Sequence, residues 1–293
     1  MRWLARISLA MALGCLCAQG AHAVEHRRVA AAAGAFNYAL VGLPQAAGAY
    51  GVRQLSPTYT GCAIIVRRQS DSGQKTICFV AHQLDTGTAQ SFCAATTCYV
   101  ATWFDQSGNG NNMSQSIAGL QPTLVFNSQN GHPTIAGSSS LLGSASMVSV
   151  EQPYTFSAVA ARTGLFTSYS SIMGGHPAPG QTSILFSNSA NAAGIYAGAA
   201  VVGGAAADNA FHSLIGVANT TSSIDIDGTT TSGNAGTVAN VPTTAQLILF
   251  DYQNTSSEPL TGNIAEAYMW TTNLSTAQQA QLRASEKAYW GTP

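Results

Sequence analysis

The chain has 293 residues, a formal net charge of −1 and only 8% charged residues, about a third of the ~25% usual in a soluble domain. With no basic tract, nothing electrostatic supports a nucleic-acid partner. The polar surface must instead be built from Ser, Thr, Asn, Gln and Gly, which suits exported β-sandwiches and the recognition of neutral sugars.

The first element is a leader. Arg2 and Arg6 precede an apolar run from Ile7 to Ala18, and Ala21-His22-Ala23 has the small-x-small form of a cleavage site. Residues 1–23 are expected to be a signal peptide cut after Ala23, and residues 24–293 one domain. The run is shorter than the ~20 apolar residues needed to span a bilayer, and no second apolar span follows. The mature chain is therefore expected to be secreted or periplasmic, without membrane insertion.

Removing the leader removes Cys15 and Cys17 and leaves Cys62, Cys78, Cys93 and Cys98. An even set of cysteines in an exported protein points to disulfides rather than reactive thiols. Of the three possible pairings, local geometry prefers 62–78 with 93–98. Cys62 and Cys78 fall on two strand-like segments joined by a Gln69 to Gln74 turn, and Cys93 and Cys98 flank the short loop Ala-Ala-Thr-Thr. The zinc alternative lacks paired short cysteine spacings with nearby histidines.

In chain order, Val24 to Leu43 reads as an Ala-rich arm or first strand. Ala46 to Leu55 has the spacing of a short helix ended by Ser56-Pro57. Tyr99 to Phe104 is a strand by its aromatic and β-branched content, stopped by the turn-forming Asp105-Gln106-Ser107-Gly108-Asn109-Gly110. Further strands are expected at Gln121 to Phe126, Tyr154 to Ala161, Ser183 to Phe186, Gly194 to Val202, His212 to Val217, Ile224 to Asp227, Gln246 to Phe250 and Ile264 to Trp270. Many short strands with regular turn signals make an all-β sandwich or barrel. A C-terminal helix follows, capped by Ser275 with Gln278 completing a capping box, and stopped by Gly291.

Ser91-Phe92-Cys93, Thr96-Thr97-Cys98 and Asp105 to Asn111, with the upstream Arg67-Arg68-Gln69-Ser70-Asp71, together resemble the catalytic domain of α-L-arabinofuranosidase B, glycoside hydrolase family 54. The resemblance runs from about Ala46 to Gln115. Two later stretches, Phe211 to Gly228 and Gly262 to Gly291, are similar to the strand pair and the closing strand and helix of laminin-G and concanavalin A-like lectin domains. The expected fold is thus a concanavalin A-like jelly-roll β-sandwich with a short C-terminal helix. The implied activity is removal of arabinose side chains from polysaccharide by a retaining mechanism, which needs two carboxylates ~5–5.5 Å apart.

The resemblance implies a glutamate nucleophile in mid-domain, yet Asn191 to Gly204 holds no carboxylate. The acid/base aspartate that it implies falls near Asp251, with the best match on Gln253 or Asn254. Asp251 and Asp227 are therefore the candidate catalytic residues, and Asp251, Gln253 and Asn254 the candidate sugar-binding ones. The family's adjacent cysteine pair is missing around Ile172 to His176.

Other polar residues have plainer readings. Asp105 is expected to cap its own turn. Asp105, Ser107 and Asn109 before Gly110 copy the start of a calcium loop but lack its closing Glu, since position 116 is Ser. Asp225 and Asp227 alternate with Ile224 and Ile226 on what reads as a solvated strand face. His132 and His212 lack a serine-nucleophile context, and one of Trp103 and Phe104 must face the core. No cofactor or metal is expected. The sequence reading is a secreted arabinofuranosidase-B-like protein that recognises arabinose-containing or related polysaccharide with weak or no hydrolysis. The alternatives are an active retaining α-L-arabinofuranosidase and a non-enzymatic surface sandwich.

Overall fold

A computed structural model describes residues 36–145, 152–163, 169–176, 182–186, 192–206, 208–237, 246–251 and 258–293. The leader and its cleavage site after Ala23 lie outside the described residues. Tyr38–Pro293 forms one compact unit.

That unit is all-β, and its strands stack as two facing layers joined at one side. In the first layer the order runs Thr229–Gly233, Ser222–Ile226, His212–Ala218, Tyr154–Arg162 and the long strand Gly262–Trp270. The free edge of Gly262–Trp270 is shared end to end by Gly48–Gly51 and His132–Gly137. In the second layer Ala200–Ala205, Ala192–Tyr196, Thr182–Phe186, Ser170–His176, Gln246–Leu249, Leu142–Ser144 and Met113–Ser114 follow one another. Cys98–Trp103, Ile64–Arg68 and Gln74–Ile77 complete it. The hairpin of Thr123–Gln129 with His132–Gly137 links the layers. Among the described residues every strand pair is antiparallel, as expected for a jelly-roll sandwich.

The inner faces meet closely. A Cβ on Gly216 would lie 2.8 Å from Ile195 Cδ1 on the facing sheet, so only glycine lets the layers approach here. A second, smaller core lies on the outer face of the first layer. There Leu282 of the C-terminal helix Thr276–Trp290 packs with Leu55, Ile215, Tyr268, Trp270 and Leu274. The helix begins with the expected capping box, Ser275 with Gln278, and ends at Gly291 in the left-handed conformation, φ 67°.

Both disulfides form as the cysteine spacing suggested, Cys62–Cys78 and Cys93–Cys98. Cys62 and Cys78 close the hairpin of Ile64–Arg68 with Gln74–Ile77, across a sequence separation of 16. Replacing both with Ser is expected to lower stability by about 3 kcal/mol, because the unfolded loop regains its freedom. Denaturant midpoints of the oxidised parent and the double variant check this.

Three expectations are corrected. Ala46 to Leu55 contains a strand, Gly48–Gly51, rather than a helix, because its backbone is claimed by the ladder with Glu266 to Met269. Gly194 to Val202 is a hairpin rather than one strand, turning between Tyr196 and Ala200 through Gly198 at φ 101°. The short helix Thr86–Phe92, capped by Asp85 accepting from the Thr88 N–H, was not expected.

Candidate functional site

The motif that carries the family resemblance is a structural staple. Asp105 Oδ1 accepts the N–H groups of Ala49 (2.9 Å) and Ser107 (2.8 Å), and Oδ2 accepts from Ser107 Oγ (2.7 Å) and the Asn111 N–H (2.9 Å). Gln106 accepts the Leu55 N–H and donates to the carbonyls of Gly51 and Arg53. Asn109 and Asn111 donate to the carbonyls of Ala46 and Ala47. Asp105, Gln106, Asn109 and Asn111 tie the turn to residues 46–55, so these side chains are satisfied by backbone partners rather than aimed at a ligand. Trp103 is buried and Phe104 half-buried.

Asp251 follows the strand Gln246–Leu249. Phe250 before it takes a left-handed φ of 69° and donates its N–H to the Ile172 carbonyl, 2.9 Å. The chain then returns so that Ser171 N–H donates to the Glu258 carbonyl and Leu260 N–H to the Phe250 carbonyl. This places Glu258 beside the fully buried Asp251, with the Glu258 N–H 3.3 Å from Asp251 Oδ1. Burial raises the Glu258 carboxyl above its ordinary pKa, and the Asp251 charge raises it further. Two neighbouring carboxyls, one held towards its protonated form, are the raw material of acid catalysis. Sequence reasoning did not select Glu258, which lies seven residues along an irregular connection where no periodicity predicts the pairing. Gln253 and Asn254 lie outside the described residues.

Asp227 has different partners. It sits at φ 51° in the turn after Ser222–Ile226, accepts the Ser213 N–H at 2.9 Å and meets His212 Nδ1 at 2.5 Å. His212 Nε2 is 2.9 Å from Asp208 Oδ1, so the imidazole lies between two carboxylates. Burial opposes its charge, but the hydrogen bonds and charges of Asp227 and Asp208 raise its pKa. The solvated face expected for Asp225 and Asp227 is not found: Asp225 is buried and bonds Arg283 Nη1 (2.8 Å), Thr230 Oγ1 and the Gly228 N–H. His132 stacks on Tyr289, centroids 4.0 Å apart.

The mid-domain hairpin of Ala192–Tyr196 and Ala200–Ala205, where the family likeness would put a nucleophile, holds no carboxylate, and Ala192, Ala193 and Ile195 are buried in the core. Glu266 and Glu286 lie between the first layer and the C-terminal helix, fully buried and held by Arg53, Tyr268, Ser213 and Ser157. Two of the open clefts among the described residues, each of about 410 Å³, are lined by other chemistry. One is formed by residues 40–46, 56–61 and 106–108, the other by Ser114, Gln115, Ile117, Gly143, Ser144 and Gln246 among others; neither has a carboxylate in its lining. Among the described residues, no group of three or more His, Cys, Asp or Glu is placed to hold a metal.

Residues 37–141 match the family model described as "Alpha-L-arabinofuranosidase B, catalytic". The alpha-L-arabinofuranosidase B of Penicillium canescens is 39% identical over 85 residues, 28% of this chain and 18% of the relative. The alpha-L-arabinofuranosidase of Hypocrea jecorina is 36% identical over 83 residues, 28% of this chain and 17% of the relative. The matched stretch is thus a small part of these relatives. Among solved structures, a GH54 a-l-arabinofuranosidase soaked with a cyclic sulfate inhibitor superposes with a TM-score of 0.61 at 17% identity, covering 82% of this chain and 63% of that one. An arabinofuranosidase complexed with arabinofuranosyl-alpha-1,2-xylobiose gives 0.59 at 18% identity, covering 82% and 62%. These superpositions establish the shared β-sandwich fold.

Proposed function

We propose that this arabinofuranosidase B catalytic domain-like chain is an exported protein that recognises arabinose-containing or related polysaccharide and hydrolyses it weakly or not at all. The observation that carries the reading is the lack of a carboxylate in the described mid-domain hairpin at the implied nucleophile position. The two clefts are lined by hydroxyl, amide and apolar groups without a carboxylate, while the hairpin at the implied nucleophile position is built of Ala, Gly, Val, Ile and Tyr. A retaining mechanism requires a carboxylate to attack the anomeric carbon and a second to protonate the leaving oxygen. A hairpin of Ala, Gly, Val, Ile and Tyr supplies no carboxylate for the attack.

A second reading is favoured by one specific arrangement, Glu258 beside Asp251. In it the chain is a glycosidase whose Glu258 acts as acid and whose Asp251 acts as the opposing carboxylate. On the proposed function, 4-nitrophenyl α-L-arabinofuranoside is turned over at trace rates or not at all, while arabino-oligosaccharides bind measurably. Robust turnover lost in both Asp251→Asn and Glu258→Gln would install the second reading. Neither turnover nor affinity for any arabinose- or xylose-containing glycan would leave a surface sandwich without a sugar ligand. The processed chain is expected to begin at Val24, which N-terminal sequencing of secreted protein reads directly.

A further inference from the structure

We infer that the cleft between residues 40–46, 56–61 and 106–108 is a saccharide-binding site for a short neutral oligosaccharide, lying at the opposite end of the sandwich from Asp251 and Glu258. The inference rests on the saccharide-recognition reading and adds where one such ligand sits. The position follows from the long strand Gly262–Trp270. The indole of Trp270 donates to the Pro44 carbonyl at 3.0 Å, anchoring one wall of the cleft. Asp251 and Glu258 adjoin Leu260, beyond the other end of that strand. Eight residue steps at ~3.3 Å put roughly 25 Å between the two places.

The lining has the two-sided chemistry that a neutral sugar presents. Leu40, Leu43 and Pro44 contribute apolar surface for the C–H face of a ring, and Ser56, Thr58 and Thr60 contribute hydroxyls, those of Ser56 and Thr58 bonded to each other at 2.8 Å. The half-buried Tyr59 also lines the cleft. No charged side chain contributes to the lining, and Asp105, which precedes the loop, is buried and saturated by four donors. A volume of about 410 Å³ lies within the roughly 300–1,000 Å³ usual for small-ligand sites.

The walls are also held in place without a ligand. Gln54 donates to the carbonyls of Ser56 (3.0 Å) and Tyr59 (2.7 Å), the Tyr59 hydroxyl donates to the Cys62 carbonyl (2.8 Å), and Gln106 braces the floor. These anchors are made largely to backbone carbonyls, and among the described residues no hydrogen bond occupies the exposed Thr60 hydroxyl. A preformed, rigid cleft avoids the ordering cost that otherwise weakens binding. Gly61 completes it: a Cβ there would lie 2.4 Å from the Tyr59 hydroxyl oxygen and would displace the ring.

The test is calorimetric titration of the intact secreted chain with arabinotriose and, separately, xylobiose. Thr60→Lys, at an exposed position, and Gly61→Ala, which moves the Tyr59 ring, are each expected to weaken binding roughly tenfold or more, with the Thr60→Lys melting temperature unchanged. If the parent binds and both variants bind equally well, the cleft is not the site and the inference is overturned, while saccharide recognition stands. If the parent binds neither sugar, the recognition reading fails and takes the inference with it.

Discussion

Glu266→Ala is expected to lower the stability of the fold by about 3–5 kcal/mol, the usual result of leaving one member of a buried ion pair behind. Glu266 and Arg53 are both fully buried between the first layer and the C-terminal helix. Arg53 Nε meets Glu266 Oε1 at 2.5 Å and Arg53 Nη2 meets Oε2 at 3.1 Å, a two-point contact. The guanidinium also lies 4.4 Å from the centroid of the Tyr289 ring and bonds Ser285 Oγ at 3.2 Å. Burial alone would lower the Arg53 pKa, but the charge and hydrogen bond of Glu266 raise it above the ordinary arginine value. Removing the carboxylate takes away the two-point partner of a buried positive charge and leaves the Tyr268 hydroxyl, which donates to Glu266 Oε2, without that acceptor. The double variant Arg53→Met, Glu266→Leu removes both charges and is expected to be more stable than Glu266→Ala. Urea unfolding of the parent, Glu266→Ala, the singles Arg53→Met and Glu266→Leu, and their double decides it. A double variant as unstable as the sum of its two singles would mean that the two residues act independently.

Much of the scaffold is legible in the sequence because its signals are local. The capping box at Ser275, the left-handed stop at Gly291, the hairpin disulfide and the Asp105 turn each need only a few neighbouring residues. Where distant partners decide, the reading fails. Gly48–Gly51 has helical spacing but becomes a strand because Glu266 to Met269 offer it a ladder from more than two hundred residues away. Asp225 alternates like a solvated strand residue, yet Arg283 from the C-terminal helix covers it. The candidate site divides the same way. Asp251 is implied by the family resemblance, at its place after the strand Gln246–Leu249. Its neighbour Glu258 is not, because only the backbone bonds of Ser171 and Phe250 bring the two together. The string Asp105 to Asn111 identifies the fold rather than the chemistry, since its side chains are consumed by the backbone they hold.

The pH dependence of stability is expected to be dominated by Glu286, a residue with no part in either functional reading. It lies on the inner face of the C-terminal helix, fully buried, with Ser213 Oγ 2.5 Å from Oε2 and Ser157 Oγ 3.3 Å from Oε1. Burial pushes its carboxyl up to about 8. The negative charge of Glu266 acts in the same direction, while the two serine hydrogen bonds and Arg53 act against it. An acid whose folded pKa is raised binds its proton more tightly when folded, so its stabilising contribution is complete below the unfolded value of 4.5 and is lost as pH rises through 8. That difference corresponds to a loss of up to about 5 kcal/mol across the window, at 1.36 kcal/mol per pKa unit. His212, whose folded pKa is also raised, adds a loss of the same sign above its ordinary 6.5, so the parent alone does not isolate the effect. Glu286→Gln does: the amide keeps the shape and a carbonyl acceptor for serine but has no proton to lose. The variant is expected to match the parent near pH 4.5 and to exceed its stability increasingly towards pH 8, because the slopes of His212 and Glu258 are common to both proteins and cancel in the difference. Chemical denaturation of both proteins at half-unit pH steps gives the difference curve. A flat difference would show that Glu286 is ionised in the folded protein throughout, with Ser213 and Arg53 outweighing its burial.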